Sequence, residues 1–246
     1  VKLDPKTGRL IRDGVPSIIN PDDKNALEEA LRIKDENPDT TVTVVSMGPP
    51  QADVAMREAL AMGADEAILI SGREFGGSDT WATSYIIATA IKKIPDYDII
   101  FCGRQAIDGD TAQVGPQIAE QLNIPQITYV QKLDIEGDKV IVQRQLEDGY
   151  TVVEAKMPVL LTAIKELNTP RYMTPKGIFE AYNKTVQVWG FNDVPVDAEK
   201  IGLKGSPTNV NRTFSPEAKG KGIMLEGADK ETVKTLIAKL DEKHLL

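Results

Sequence analysis

Residues 98–122 read DIIFCGRQAIDGDTAQVGPQIAEQL, and this stretch decides the fold of the chain. A short apolar run, Ile99–Cys102, leads into a glycine-containing loop, and the loop leads into an amphipathic pattern. This order predicts a buried strand, a turn and the start of a helix. In open α/β sheets, ligands bind at such turns, outside the carboxyl ends of the strands.

The loop of this stretch is a candidate phosphate site. Its glycines let a ligand approach the main chain, and the free N–H groups at a helix start attract anions. Asp108 and Asp110 complicate this interpretation, because carboxylates repel phosphate; they could instead accept hydrogen bonds from ribose hydroxyls, cap the helix or bind a metal ion. The spacing matches neither the dinucleotide fingerprint nor the P-loop, so an ordinary strand-to-helix loop with an Asp cap is the alternative.

Composition excludes several classes of function. The chain has 246 residues, of which 41% are hydrophobic and 27% charged, as in soluble globular proteins. No apolar run approaches the roughly 20 residues that span a membrane, and no signal peptide is visible, so we expect a cytoplasmic protein without membrane insertion. A formal charge of -8 argues against nucleic-acid binding. With one cysteine and one histidine, the chain cannot build a Cys/His zinc cluster alone, and we expect no Ser-His-Asp or Cys-His triad within it.

Local patterns upstream of the loop predict alternating helices and strands. Asn20-Pro21-Asp22-Asp23 is typical of a helix start, with Asn20 as the cap, Pro21 in the first turn and two acids at the positive end of the helix dipole. The sequence therefore predicts an α/β fold with a doubly wound, mostly parallel sheet, to which hairpin signals after residue 124 add late antiparallel strands. We expect strands at 42–47 and 67–70 and helices at 52–62 and 81–93.

A second glycine-containing loop, SGREFGGSDT at residues 71–80, also follows a predicted strand. Its glycine N–H groups and the hydroxyls of Thr80 and Thr83 could bind a phosphate or an amide. The alternative is that Ser78 or Asp79 simply caps the next helix, which the capping preference favours.

The C-terminal third has a different character. Leu167 and Met173 are apolar residues in a polar setting, so they are either tucked under a loop or form a docking knob. Residues 185–222 have no helical period and are expected to form an irregular arm that wraps a partner. Residues 229–243 predict an amphipathic helix. The expected domains are a nucleotide-binding α/β domain at 1–184 and a partner-wrapping arm with a C-terminal helix at 185–246.

Four motifs, in this order, resemble the β subunit of electron transfer flavoprotein. They are Asn20-Pro21, AMGAD at 61–65, GRQAIDGDTAQVG at 103–115 and LNTPRY at 167–172. The resemblance covers essentially the whole chain, and the four motifs are specific only in combination. It implies a heterodimer with an α subunit that carries its own FAD, and an adenine nucleotide bound to this chain. Members of the family open with a buried strand that touches the nucleotide, and the resemblance implies that this strand is missing here.

The resemblance also implies which residues bind the nucleotide, mostly through main-chain contacts to adenine and phosphate. Asp108 or Asp110 would serve the ribose or the fold of the loop. Leu167 matches the family's docking leucine, which enters an acyl-CoA dehydrogenase partner. The implied nucleotide site is Asn20, Pro21, Asp22, Asp23, Met47, Gly103, Arg104, Gln105, Ala106, Ile107, Asp108, Gly109, Asp110, Thr111, Ala112, Gln113 and Val114.

A subgroup of the family matches further stretches of the chain. FGGSDT at 75–80, KGIFEAY at 176–182 and GLKGSPTNV at 202–210 resemble the bifurcating and nitrogen-fixation-linked members, which bind FAD where ordinary members bind AMP. FAD needs donors for a second phosphate and room for an isoalloxazine ring. The expected FAD site therefore adds Asp79, Thr80 and Thr83 to the residues above.

The implied function is flavin-based electron bifurcation. NADH would deliver a hydride to the FAD of this chain; one electron would pass to ferredoxin or flavodoxin, and the other through the FAD of the α subunit to an acyl-CoA dehydrogenase. An AMP-containing electron carrier is the alternative within the family, and a nucleotide-binding regulatory module without a redox role is the alternative outside it. No side chain is expected to act as a catalytic nucleophile or base, and no metal ion is expected.

Overall fold

The computed structural model describes residues 17–211 and 220–246. Contacts divide the chain after Asn209 into a larger unit and a smaller unit, and the described residues of the smaller unit are 210, 211 and 220–246. Among the described residues, no helix is long and apolar enough to cross a membrane.

Helices and strands alternate through the first half of the larger unit. The helices are α1 (Pro21–Glu36), α2 (Asp53–Met62), α3 (Thr80–Ile91), α4 (Val114–Leu122), α5 (Pro175–Asn183), α6 (Gly202–Gly205) and, in the smaller unit, α7 (Lys230–Glu242). The strands are β1 (Thr43–Met47), β2 (Glu66–Ile70), β3 (Ile99–Gly103), β4 (Gln126–Glu136), β5 (Lys139–Gln145), β6 (Tyr150–Lys156), β7 (Val159–Ala163) and β8 (Val186–Trp189).

The strands form two sheets. A three-stranded sheet has the order β1-β2-β8 and is entirely parallel. A five-stranded sheet has the order β3-β7-β4-β5-β6, in which β3, β7 and β4 run parallel and β5 and β6 continue as antiparallel strands. The predicted α/β class with a mostly parallel arrangement and late antiparallel strands is confirmed. The parallel strands are split between two sheets because, within the described residues, no strand pairs with both β1 and β3.

Helices cover both faces of the three-stranded sheet. Ala67 and Leu69 of β2 point to one side, where they join a buried cluster with Met56 of α2. Ile70 points to the other side and packs with Ile86 of α3. Alternate residues of one strand are thus buried on opposite faces, as expected for a sheet wound with helices on both sides.

The division of the chain lies later than the predicted boundary at residue 184. Val186–Trp189 is strand β8, which pairs in parallel with β2, from Ala67↔Val186 to Ile70↔Trp189. The open edge of β2 satisfies the main-chain groups of this short segment, and its Val-Gln-Val-Trp pattern is too brief to mark a strand by itself. The partner-wrapping role expected for the later residues stays a prediction.

Helix α5 packs closely on α2. Gly177, in the first turn of α5, lies so near to the end of α2 that an added Cβ would come within 2.3 Å of the Ala61 carbonyl oxygen. Thr174 caps the same turn, because its side chain accepts a hydrogen bond from the Gly177 N–H at 2.9 Å. The predicted helix start at Thr174-Pro175 is therefore confirmed, and the glycine permits the close approach.

Replacing Gly177 with alanine should destabilise the larger unit. The added methyl would clash with main-chain atoms of α2 and force the helices apart, at a cost of about 1–3 kcal/mol, or a fall of about 2–12 °C in melting temperature. Thermal unfolding followed by circular dichroism measures the change. Gly149→Ala is the matched control, because nothing lies within 4 Å of the Cβ it would add. Equal melting temperatures for the two variants would contradict the close packing.

Candidate functional site

The N-terminus of α1 presses against the end of β3. A Cβ added to Gly103 would lie 2.5 Å from the main-chain nitrogen of Asp23. The Asp23 carboxylate accepts a hydrogen bond from the Gly103 N–H, with the two atoms 2.6 Å apart. Only glycine permits this approach, so the first residue of the loop is held directly by α1.

Asn20 binds the same loop instead of capping the helix. Its side-chain Nδ2 donates to the main-chain oxygen of Gln105 at 2.9 Å, and its Oδ1 accepts from the N–H of Ile107 at 3.0 Å. Its side chain makes no capping hydrogen bond to α1. The predicted helix start at Pro21 is correct, but the predicted side-chain cap is wrong, because both ends of the amide bond main-chain groups that lie 85 and 87 residues further along the chain.

Two aspartates behind the loop differ in their surroundings. Burial raises the pKa of Asp23 above the ordinary aspartate value, although hydrogen bonds from Gly103 and Asn20 act in the opposite direction. Asp22 lies beside the Arg104 side chain, with Oδ2 3.4 Å from Nε. This Arg104 Nε is buried and makes no hydrogen bond with any described group. The Asp22 carboxylate partly compensates the charge of the Arg104 guanidinium at the base of the loop.

The loop between β3 and α4 is tightly folded at its base and exposed at its tip. The Arg104 N–H donates to the oxygen of Ala163 on β7, and the Asp110 N–H donates to the oxygen of Ala106, both at 2.9 Å. The Gln105 side chain also donates to the Asp110 carboxylate. Asp110 thus serves the fold of the loop, one of the roles expected for it.

Two residues of this loop have strained main-chain conformations. Asp110 and Ala112 have φ of 53° and 52°, in the left-handed region that side-chain-bearing residues seldom adopt. Asp108 and Thr111 are exposed nearby. At Gly109 an added Cβ would meet nothing within 4 Å. Within the described residues, no group of three or more potential ligands could hold a metal ion.

The second loop is braced by Asp79. Its carboxylate accepts from the Ala82 N–H at 3.0 Å, which confirms the predicted helix cap. The other oxygen accepts from the N–H and the hydroxyl of Thr208, at 2.9 and 2.7 Å. Burial alone would raise the pKa of Asp79, but these hydrogen bonds outweigh it and lower the pKa. The sequence analysis did not name Thr208 as a site residue, although it lies in the stretch GLKGSPTNV that resembles the FAD-binding subgroup.

A hydrogen bond joins the two loops. The hydroxyl of Thr80, the first residue of α3, donates to the side-chain oxygen of Gln113 at 3.0 Å, just before α4 begins at Val114. Thr83 lies half-buried in the first turn of α3, where its N–H donates to the Asp79 oxygen. Both predicted phosphate loops therefore meet at one place.

Met47 lies at the end of β1, outside the two loops. Its side chain packs in a hydrophobic cluster with Ile70 and Phe75. The contact expected between this residue and a nucleotide stays a prediction.

Leu167 does not form an exposed knob. Its side chain is 8% exposed and packs with Ala26 and Ile127 in a buried cluster, so it is unable to enter a partner in this conformation. Leu167 is tucked under the loop, the alternative that the sequence left open. The neighbouring apolar side chains are exposed, and we call them the docking face: Tyr172, Met173, Ile178, Phe179 and Tyr182.

Comparisons with known proteins place the chain in a family. The model of the electron transfer flavoprotein domain matches residues 7–194. The electron transfer flavoprotein subunit beta of Thermoanaerobacterium thermosaccharolyticum is 61% identical over 247 residues, covering 100% of this chain and 94% of that protein. Subunit CarD of the caffeyl-CoA reductase–Etf complex of Acetobacterium woodii is 58% identical over 247 residues, with the same coverage. The acryloyl-CoA reductase electron transfer subunit gamma of Anaerotignum propionicum is 53% identical over 246 residues, covering 97% and 92%. The chain belongs to the electron transfer flavoprotein family, as one of its beta subunits.

Proposed function

We propose that this chain binds FAD and takes part in electron bifurcation within a heterodimer. NADH supplies two electrons; one goes to ferredoxin or flavodoxin, and the other goes through the FAD of the α subunit to an acyl-CoA dehydrogenase. The observation that carries the proposal is the hydrogen bond between Thr80 and Gln113, which joins the loops after β2 and β3. Two joined loops offer main-chain N–H groups over a longer path than one phosphate requires, which favours a dinucleotide over AMP.

The residues present fit a flavin nucleotide. Asn20 and Asp23 fix the loop after β3 through hydrogen bonds to Gln105, Ile107 and Gly103, which leaves its tip exposed to solvent, where a ligand would bind. Arg104, which pairs with Asp22 through Nε, places a guanidinium at the base of the loop, and its other nitrogens would donate to a phosphate. A bound flavin would supply the ability to accept one hydride, which carries two electrons, and to release these electrons singly, while the protein sets its position and potential.

The names of the relatives support an acyl-CoA partner. CarD is a subunit of a caffeyl-CoA reductase–Etf complex, and the relative from Anaerotignum propionicum is an electron transfer subunit of an acryloyl-CoA reductase. Both reductases act on CoA esters of unsaturated acids, as an acyl-CoA dehydrogenase does in reverse. We therefore assign the docking face to a dehydrogenase of this type.

Extraction of the nucleotides from the purified heterodimer tests the proposal. We expect two FAD per heterodimer and bleaching of both by NADH when ferredoxin and the dehydrogenase are absent. One FAD and one AMP would favour the simple electron carrier. A colourless complex that stays colourless after FAD is added would favour a regulatory module. Either of these outcomes overturns the bifurcating assignment.

Asn20→Ala should weaken nucleotide binding. The change removes both hydrogen bonds to the loop, each worth about 1 kcal/mol, so we expect the dissociation constant of FAD in the heterodimer to rise about 10- to 30-fold. Flavin fluorescence during reconstitution of the stripped complex measures it. Asn37→Ala is the matched control, because that asparagine lies at the other end of α1 and bonds only to the Ile33 oxygen. A comparable loss in both variants would show a general effect on α1.

Phe179→Ser should weaken binding of the dehydrogenase. Phe179 is 76% exposed on α5, and aromatic anchors contribute about 2 kcal/mol or more to protein interfaces, so we expect an increase in dissociation constant of at least about 30-fold. Titration calorimetry of the heterodimer with the dehydrogenase measures the change. Val152→Ser, on the exposed face of β6, is the control. Failure of the Phe179 variant to assemble with the α subunit would assign this face to the heterodimer interface instead.

A further inference from the structure

Helix α1 contacts two functional regions at once. Its N-terminal end holds the loop after β3 through Asn20 and Asp23. Its middle holds the segment that leads into the docking face, through Glu28 and Asn25. The proposed function assigns a role to each region separately but gives none to the helix between them.

The contact in the middle of α1 is an ion pair between a buried carboxylate, Glu28, and a half-buried guanidinium, Arg171. Glu28 is 5% exposed, and its carboxylate accepts three hydrogen bonds from Arg171: from the main-chain N–H and from Nε at 2.9 Å, and from Nη2 at 3.0 Å. Arg171 also donates to Asp35, in the last turn of α1, at 2.7 Å. The guanidinium therefore spans two helical turns, and Tyr172 of the docking face is the next residue.

A second contact lies one turn nearer to the loop. The Asn25 side chain donates to the main-chain oxygen of Asn168 at 2.8 Å, and the Asn168 side chain donates back to the Asn25 oxygen at 3.0 Å and to Glu29 at 2.8 Å. Asn25 and Glu29 are buried. The segment is thus bonded to α1 at Asn25, Glu28, Glu29 and Asp35, while Asn20 and Asp23 bind the loop.

Contacts that combine a buried group with several hydrogen bonds allow only one relative position of the two segments. Removing one partner of a buried ion pair leaves an uncompensated charge, so the pair resists small displacements. A helix is itself stiff, because hydrogen bonds between its own main-chain N–H and C=O groups connect each turn to the next. Movement of the docking segment relative to the loop therefore requires either breaking these bonds or moving α1.

We propose that α1 is a rigid link that fixes the docking face relative to the nucleotide loop, with Arg171 as the positioning residue that holds the docking end. The proposal rests on the proposed function for what the two ends bind, but the mechanical link does not depend on the redox role. The hydrogen bonds of the Arg171 side chain go to Glu28 and Asp35 of α1, so it acts through α1.

Hydrogen exchange in the α/β heterodimer tests the link from both ends. The amides of Gly103 and Ile107 report on the loop end, because Asp23 and Asn20 accept their hydrogen bonds; the amide of Arg171 reports on the docking end, because Glu28 accepts its hydrogen bond. Arg171→Met should speed exchange at the two loop amides about 2- to 30-fold, and coupling is reciprocal, so Asn20→Ala should speed exchange at Arg171 by a similar factor.

Two further variants keep the test falsifiable if Arg171→Met folds poorly. Arg171→Lys keeps the charge but loses the forked hydrogen bonds, so it should give a smaller rise at Gly103 and Ile107. Lys139→Met removes a partly exposed cation that pairs with Glu154 between β5 and β6, away from α1, and should leave these amides unchanged. The link is overturned if exchange rises only next to each substitution, or rises equally throughout the larger unit.

Electron transfer to the dehydrogenase separates this proposal from the proposed function. If both ends respond in the exchange experiment but the wild-type heterodimer passes no electrons to any acyl-CoA dehydrogenase, the link stands and the redox assignment fails. If electrons pass but the distant amides do not respond, the redox assignment stands and the link fails. If both hold, Arg171→Met should raise the KM for the dehydrogenase, and Arg171→Lys should restore part of the loss.

Discussion

The contact between the Asp23 carboxylate and the Gly103 main chain is the constraint on which the site depends. The first turn of α1 approaches β3 so closely that no side chain fits at Gly103. This approach brings Asn20 within reach of Gln105 and Ile107 and sets the path of the loop from behind. A loop whose conformation is already fixed loses little conformational entropy when a ligand binds, and this preorganisation strengthens binding.

The two ends of α1 use buried carboxylates in different ways. Glu28 is fully paired with the forked guanidinium of Arg171, so its burial is compensated. Asp23 receives hydrogen bonds from neutral groups, and burial raises its pKa. In the window between the ordinary and the raised pKa, the folded protein binds more protons than the unfolded chain, so ionised Asp23 lowers stability as pH rises. Holding the loop through Asp23 therefore lowers the stability of the fold when this carboxyl is ionised, whereas the docking segment is held by a carboxylate whose charge Arg171 compensates.

Local sequence was sufficient for much of the fold but for less of the site. The start of α1 at Pro21, the end of α2 at Gly63 and the turn at Gly137 follow from rules that span a few residues. The roles of Asn20 and Leu167 do not, because each is decided by contacts with residues far along the chain. A capping residue and a loop-binding residue look identical in sequence, and so do a buried and an exposed leucine. Resemblance to the family pointed to two loops that the structure joins through Thr80 and Gln113, but the side chains that hold each loop are visible only in the structure.

Neither the cysteine nor the histidine of this chain is suited to redox or nucleophilic chemistry at the two loops. Cys102 is the one thiol of the chain, and burial, with the nearby Asp23 charge, raises its pKa to about 12. A thiol with that pKa is almost entirely protonated at neutral pH and is a poor nucleophile or redox group. The single histidine, His244, lies at the end of α7, in the smaller unit, while both proposed phosphate loops belong to the larger one. The protein around the loops therefore provides shape, hydrogen bonds and one cationic donor, and any electron chemistry at this site must come from the group that it binds.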